Sequence, residues 1–221
     1  MCGISGFIDP KNESGFDQLK KMTDVLQNRG PDDSGYDVFS HHGKRIGLGH
    51  RRLSILDLSQ HGHQPMQFDH LKLVYNGEVY NYKEIRIDLE KHGYQFESDS
   101  DTEVILKSFH LWGVKAVDKF IGMFALALFD QKQGKLFLIR DRTGIKPLYY
   151  YLEDGLLLFA SELKSFHEHP SFKKNINFDA LNQYLRHGDI SGPNTIFENT
   201  YKLSAGSFLK FDLEKSKIEV E

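Results

Sequence analysis

A chain of 221 residues with 28 basic and 31 acidic side chains, interspersed to a net charge of −3, has neither a basic stripe for nucleic acid nor a polybasic patch for a membrane surface. Its hydrophobic content of 39 %, one third of it aromatic, supplies a sizeable core, and a single cysteine excludes an internal disulfide. No basic segment followed by a long apolar run opens the chain, so the expectation is one cytoplasmic domain acting on a small molecule.

That single cysteine is Cys2, directly behind the initiator methionine. Removal of Met1 makes Cys2 an N-terminal residue with both halves of a catalytic pair: a thiol, nucleophilic once ionised, and an α-amine with a pKa of about 8. Such an amine keeps a useful neutral fraction at ambient pH, so it can take the thiol proton without a neighbouring histidine. A lone cysteine is equally a small buried hydrophobe, and position 2 alone does not decide between the two.

In chain order, Ile4, Phe7 and Ile8 mark a short strand closed by Pro10. Phe16, Leu19, Met22, Val25 and Leu26 recur at helical spacing until Gly30-Pro31, predicting an amphipathic helix over 16–29. Residues 29–35 are loop by composition. Stretches 36–40 and 45–54 read as paired strands, the second carrying His50-Arg51-Arg52-Leu53-Ser54-Ile55. An arginine at a strand end is ordinarily a solvated or ion-paired surface residue. It is also the side chain best shaped for a carboxylate, which its planar fork meets with two parallel hydrogen bonds. The loop 57–70 holds His61, His63 and His70, and with His41 and His42 these raise the question of a metal. No cysteine or closely spaced carboxylate completes a ligand set, so no metal is expected.

Leu71 to Glu78 alternates as a strand into Asn76-Gly77, which is first of all a turn signal. Its functional alternative is an oxyanion hole, with the Asn76 amide and the Gly77 N–H as two donors. Tyr82, Ile85 and Leu89 suggest a helix ended by Gly93, and Ser100-Asp101-Thr102-Glu103 matches a capping box that opens another. Asp101 then either complements that helix terminus or binds a substrate ammonium. Hairpins follow at 123–142 and 147–161, the second across Asp154-Gly155, then two short helices near 166 and 178–185. A last strand spans 207–212, before a charged, frayed tail.

These stretches together resemble one family: the N-terminal glutaminase domain of glutamine-hydrolysing asparagine synthetases, a class II glutamine amidotransferase of the N-terminal-nucleophile hydrolase fold. The resemblance rests on Met1-Cys2-Gly3-Ile4, Arg29-Gly30-Pro31-Asp32, His50 to Ile55, Asn76 to Asn81, Ser100 to Glu103, Gly122 to Ala125, Arg140 to Tyr149 and Phe159 to Lys164, in family order. It implies an α+β fold, a four-layer αββα sandwich of two mainly antiparallel sheets. It also implies Cys2 as nucleophile, Asn76 and Gly77 as oxyanion hole, Arg52 for the α-carboxylate of L-glutamine and Asp101 for its α-ammonium. Leu53, Ile55 and Glu78 match positions lining the same pocket. By the same resemblance, residues 1–212 are the amidotransferase domain, and 213–221 lead towards a synthetase domain or subunit. ATP and magnesium belong to that partner, with no cofactor in this chain. Two alternatives stay open: another ammonia acceptor, such as a sugar carboxylate, and a glutamine-binding domain without turnover.

Overall fold

Where each side chain goes follows from strands whose residues alternate between two faces. The computed structural model describes residues 1–54 and 62–221, so Ile55 and His61 lie outside the described residues. The elements are β1 (Gly3–Asp9), α1 (Phe16–Asp24), β2 (Asp33–His41), β3 (Lys44–Arg52), β4 (Met66–Phe68), β5 (Leu71–Val79), α2 (Tyr82–Lys91) and α3 (Asp101–Trp112). There follow β6 (Gly122–Asp130), β7 (Lys135–Arg140), β8 (Tyr149–Glu153), β9 (Leu156–Ala160), α4 (Phe178–His187), β10 (Thr200–Lys202), β11 (Phe208–Asp212) and β12 (Lys217–Val220). Two six-stranded sheets result, ordered β10-β8-β9-β1-β3-β2 and β12-β11-β7-β6-β5-β4. The strand pairs are antiparallel.

Period-two alternation assigns the faces. On β1, Ile4 and Ile8 join Ile46, Leu48, Val74, Ala125, Ala127, Leu138 and Phe211 in a core between the sheets. Phe7, from the opposite face of β1, packs with Leu19 and Met22 of α1 and with Phe166. On β5, Leu73 and Tyr75 point the other way from Val74 and pack against Val104 and Phe109 of α3 and Leu89 of α2. The layers are therefore helix, sheet, sheet, helix, the expected αββα sandwich. The even-numbered residues of β1 and β5 face the gap between the sheets. Cys2 and Asn76 are even-numbered, so one rule sends both inward.

Aromatic rings fix β1 in place. A Cβ at Gly47 would lie 2.6 Å from a Phe7 ring carbon, and one at Gly6 would lie 2.3 Å from Phe159. Both rings fill room that only glycine leaves.

Four local expectations are corrected. The first helix stops at Asp24, not 29. Beyond it Leu26, Gln27, Arg29 and Gly30 donate to carbonyls three residues back, and this tighter winding carries Arg29 to the start of β1. Asn76-Gly77 makes no turn but continues β5 to Val79, opposite Ala125 and Phe124. Ser100 caps α3 by accepting from the Thr102 N–H, but Glu103 does not complete the box. Its carboxylate takes the N–H groups of Glu97 and Ser98 and the Ser98 hydroxyl, pinning the incoming loop. The stretch 213–221 is not frayed: it doubles back so that Leu209 to Asp212 pair with Val220 to Lys217.

Candidate active site

The register of the central strands assembles the site. Gly3 pairs with Arg51, which sets Cys2 beside Arg52 and Leu53 at the end of β3. The far end of β5 and the head of α3 close the opposite side. One cleft is lined by Cys2, Arg52, Leu53, Asn76, Gly77, Glu78 and Asp101, together with Met1, Gln64, Met123 and Lys146. Every described site residue expected from the sequence meets there.

Cys2 is gripped through its backbone and its sulfur. The Arg29 Nε donates to the Cys2 carbonyl at 2.9 Å, while another nitrogen of the same guanidinium donates to Glu162 at 2.9 Å. The Leu53 N–H points at Sγ from 3.4 Å, and the thiol reaches back to the Leu53 carbonyl at 3.7 Å. Burial pushes the Cys2 thiol up, partly offset by the Leu53 backbone, the N-terminal ammonium and Arg52. Such a thiol needs a base to ionise it.

The two donors expected at an oxyanion hole, the Asn76 amide and the Gly77 N–H, can be located from the ladder. Phe124 donates its N–H to the Asp141 carboxylate (3.3 Å) and its carbonyl accepts from the Asp141 N–H (2.8 Å), so both backbone groups of Phe124 face away from β5. Its cross-strand neighbour Gly77 is consequently a non-hydrogen-bonded pair member and turns its N–H away from β6. The odd-numbered neighbours confirm this direction: the Tyr75 N–H donates to Gln64 Oε1 at 2.6 Å and the Val79 N–H to Asp101 Oδ2 at 3.0 Å. Between them, the Gly77 N–H faces the cleft, where β4 no longer runs alongside. Asn76 is 1 % exposed, and its Nδ2 is buried without a hydrogen-bond partner. A buried amide donor left open in the same cleft as a free thiol is suited to an oxygen that arrives with a ligand. Glycine is required at 77, because a Cβ would lie 2.3 Å from the Met123 carbonyl.

Arg52 and Asp101 carry the opposite charges of the cleft. At 8 % exposure Arg52 is no surface ion-pair residue, and its guanidinium packs so closely on Gly62 that a Cβ there would lie 2.1 Å from it. Asp101 accepts from the Tyr75 hydroxyl at 2.7 Å and from the Val79 N–H. Burial nevertheless pushes its carboxyl up, with Glu78 adding to the effect, and an arriving cation would push it back down. Gln64 and Tyr75 escaped the sequence reading because no local pattern marks a residue whose role is to tie β5 to α3. Gln64 does so by accepting from Tyr75 N–H and donating to Thr102 Oγ1 at 3.4 Å.

Behind β5, the fully buried His50 donates from Nε2 to the Tyr75 carbonyl at 3.0 Å. Burial lowers its pKa from 6.5 to about 3. Between these values the unfolded chain binds a proton that the folded chain refuses, so stability falls as pH falls through this window, by up to about 1.4 kcal/mol per unit. In His50→Gln, which keeps a donor for the Tyr75 carbonyl, urea unfolding at pH 7 and pH 4 should show a smaller acid-induced loss than wild type. An identical loss would remove His50 as its source.

Away from the cleft, Asp69, His70 and His110 bring possible metal-ligand atoms within 4.8 Å of one another. The Asp69 carboxylate already serves His70 at 2.8 Å, His110 at 3.2 Å and Lys132 at 3.0 Å. Among the described residues no helix is long and apolar enough to cross a membrane.

Comparison with known proteins agrees with this geometry. Residues 1–220 match the model of the glutamine amidotransferase domain. A putative glutamine-hydrolysing asparagine synthetase of Methanocaldococcus jannaschii is 42 % identical over 99 % of this chain and 45 % of its own length. Asparagine synthetase 3 of Bacillus subtilis is 38 % identical over 96 % of this chain and 35 % of its own. The chain thus spans between a third and a half of the length of these relatives. Glutamine phosphoribosylpyrophosphate amidotransferase of B. subtilis, solved with ADP and GMP, superimposes over the whole chain and 49 % of its own, with a TM-score of 0.69 at 18 % identity. That likeness shows the fold. With a family match across its length and relatives above 30 % identity, this chain belongs to the glutamine amidotransferase domain family.

Proposed function

We propose that this chain hydrolyses L-glutamine to glutamate and ammonia, with Cys2 as nucleophile after Met1 is removed. The observation that carries this reading is the open Asn76 Nδ2 donor, buried in the same cleft as Cys2 and next to the outward Gly77 N–H. The freed α-amine takes the thiol proton, and the sulfur attacks the side-chain carboxamide carbon. The carbonyl electrons move onto oxygen, where Asn76 and Gly77 receive the negative charge. Collapse expels the nitrogen, which leaves as ammonia with the proton from the α-amine. The resulting γ-glutamyl thioester is then cleaved by water, whose proton returns the thiol and leaves glutamate. Arg52 meets the substrate α-carboxylate and Asp101 its α-ammonium, so a free amino acid is gripped at both charges. Leu53 and Glu78 line the chain between them.

The relatives' names support an asparagine synthetase-type partner that consumes the ammonia; in this reading it is an ATP-dependent domain or subunit, and both act in the cytoplasm. ATP and magnesium would act there. The test is intact mass, which should show loss of Met1, followed by a diazo-ketone analogue of glutamine. The label should appear on Cys2 alone by peptide mass spectrometry, and labelling elsewhere overturns the nucleophile.

Arg52→Lys keeps the charge but not the planar fork. It should lower kcat/KM for glutamine roughly ten- to hundred-fold, the worth of about 1.5–3 kcal/mol for a charge-assisted contact. Amide substrates lacking the α-carboxylate should be used almost equally by both proteins. Equal kcat/KM for glutamine would return Arg52 to a structural role.

A further inference from the structure

Lys146 belongs to the cleft but has no part in the chemistry so far. It sits in the turn after β7, is 4 % exposed, and lines the cavity with Cys2, Asn76 and Glu78. Among the described residues its ammonium has one hydrogen-bond partner, the thioether of Met1 at 3.3 Å. A thioether is a weak acceptor and offers no charge. The surrounding acids are committed elsewhere. Asp141 spends its carboxylate on the N–H groups of Phe124, Thr143, Ile145 and Lys146 itself, from 2.9 to 3.3 Å. Glu162 pairs with Arg29 and Lys164. Glu78 lines the cleft without a salt bridge to Lys146, and Asp101 is held by Tyr75 and Val79.

Excision of Met1 therefore does two things at one place. It frees the Cys2 α-amine, and it strips the nearby buried ammonium of the one hydrogen-bond partner it has among the described residues. We propose that in the mature protein Lys146 is a positioning residue whose charge lets the Cys2 thiol and α-ammonium give up the first of their two protons near neutral pH, leaving the one they share for catalysis. A positive neighbour favours a thiolate and disfavours a second ammonium, so both halves of the pair lose a proton more readily beside it. That first proton goes to solvent, the shared one stays on the pair for the leaving ammonia, and Lys146 forms no bond to substrate. Burial, with Arg29 adding to it, pushes the Lys146 ammonium below its ordinary pKa, an effect that Cys2, Asp141 and Glu78 offset only in part. This inference rests on Cys2 being the nucleophile.

The experiment compares wild type, Lys146→Met and Lys146→Arg, each verified by intact mass to lack Met1. The rate of iodoacetamide alkylation of Cys2 is followed from pH 5 to 10, beside the pH profile of kcat/KM for glutamine. In Lys146→Met the apparent pKa of alkylation, and of the acid limb of kcat/KM, should rise by about one unit. That is a roughly tenfold loss of rate below the limb which closes at high pH, and Lys146→Arg should restore it. An unmoved pKa, or a loss equal at every pH, overturns the proposal. If Lys146→Met does not fold, Lys146→Gln, equally uncharged but polar, carries the same comparison. Because alkylation reads the thiol without turnover, a shifted pKa in a protein inactive on glutamine would count against the glutaminase reading and not against Lys146.

Discussion

Cys2→Ala should abolish glutamine hydrolysis while glutamine still binds. In the proposed mechanism the substitution deletes the atom that forms the thioester, yet Arg52 and Asp101, proposed to grip the charged ends of the substrate, come from β3 and α3 and do not depend on the sulfur. Among the described residues Sγ makes two long hydrogen bonds, both with Leu53, so fold and stability should barely change. The decisive pair of measurements is ammonia release, expected at background, and glutamine binding by calorimetry, expected within a few-fold of wild type. Retained turnover would eliminate Cys2 as the nucleophile.

Asn76→Ala should lower kcat by about 10²–10³-fold with a smaller change in KM, because a donor reserved for the oxyanion works harder in the transition state than in the ground state. The open Nδ2 makes this case distinct from an ordinary buried asparagine. Removing an amide that already holds a partner would strand that partner and cost stability, whereas this Nδ2 has none in the resting protein. Thermal stability should therefore change little, and kcat should carry the loss. An effect on KM alone would reduce Asn76 to a ground-state contact.

The legible part of the fold was the part written in local alternation. β1, β3, β5 and the hairpins of the second half follow from period-two patterns and turn residues. The order of layers and the roles of Arg52 and Asp101 came from family resemblance, since composition and spacing cannot tell a buried arginine from a solvated one. The burial of Arg52 depends on Gly62, which joins it only in three dimensions. Asn76-Gly77 misled for a related reason. Its turn preference is overridden because Gly122 lets β6 close on β5, where a Cβ would lie 2.1 Å from the Glu78 carbonyl. The last strand was hidden because Lys217-Ile218-Glu219-Val220 is short and half charged, and pairs only once β11 offers its edge. Lys146 was quoted within a motif but not singled out, because nothing in its neighbours along the chain foretells that Met1 will lie against it.

The place of β1 in its sheet sets a clock for maturation. Gly3 to Asp9 are all buried, held on one side by β3 and on the other by β9. During synthesis β3 emerges soon after β1, but β9 begins about 150 residues later. A ribosome adding roughly 5–20 residues per second needs on the order of 7–30 s for that distance. Throughout this interval the N-terminal segment lacks its second neighbour, and a peptidase can draw it out to cleave behind Met1. Once β9 docks, Met1 itself stays half exposed, but the residues after the scissile bond are locked in the middle of the sheet and cannot be drawn out. Overexpression that outruns the processing peptidase should accordingly yield a folded, inert fraction still bearing Met1, which prolonged exposure to the peptidase converts slowly compared with nascent chains.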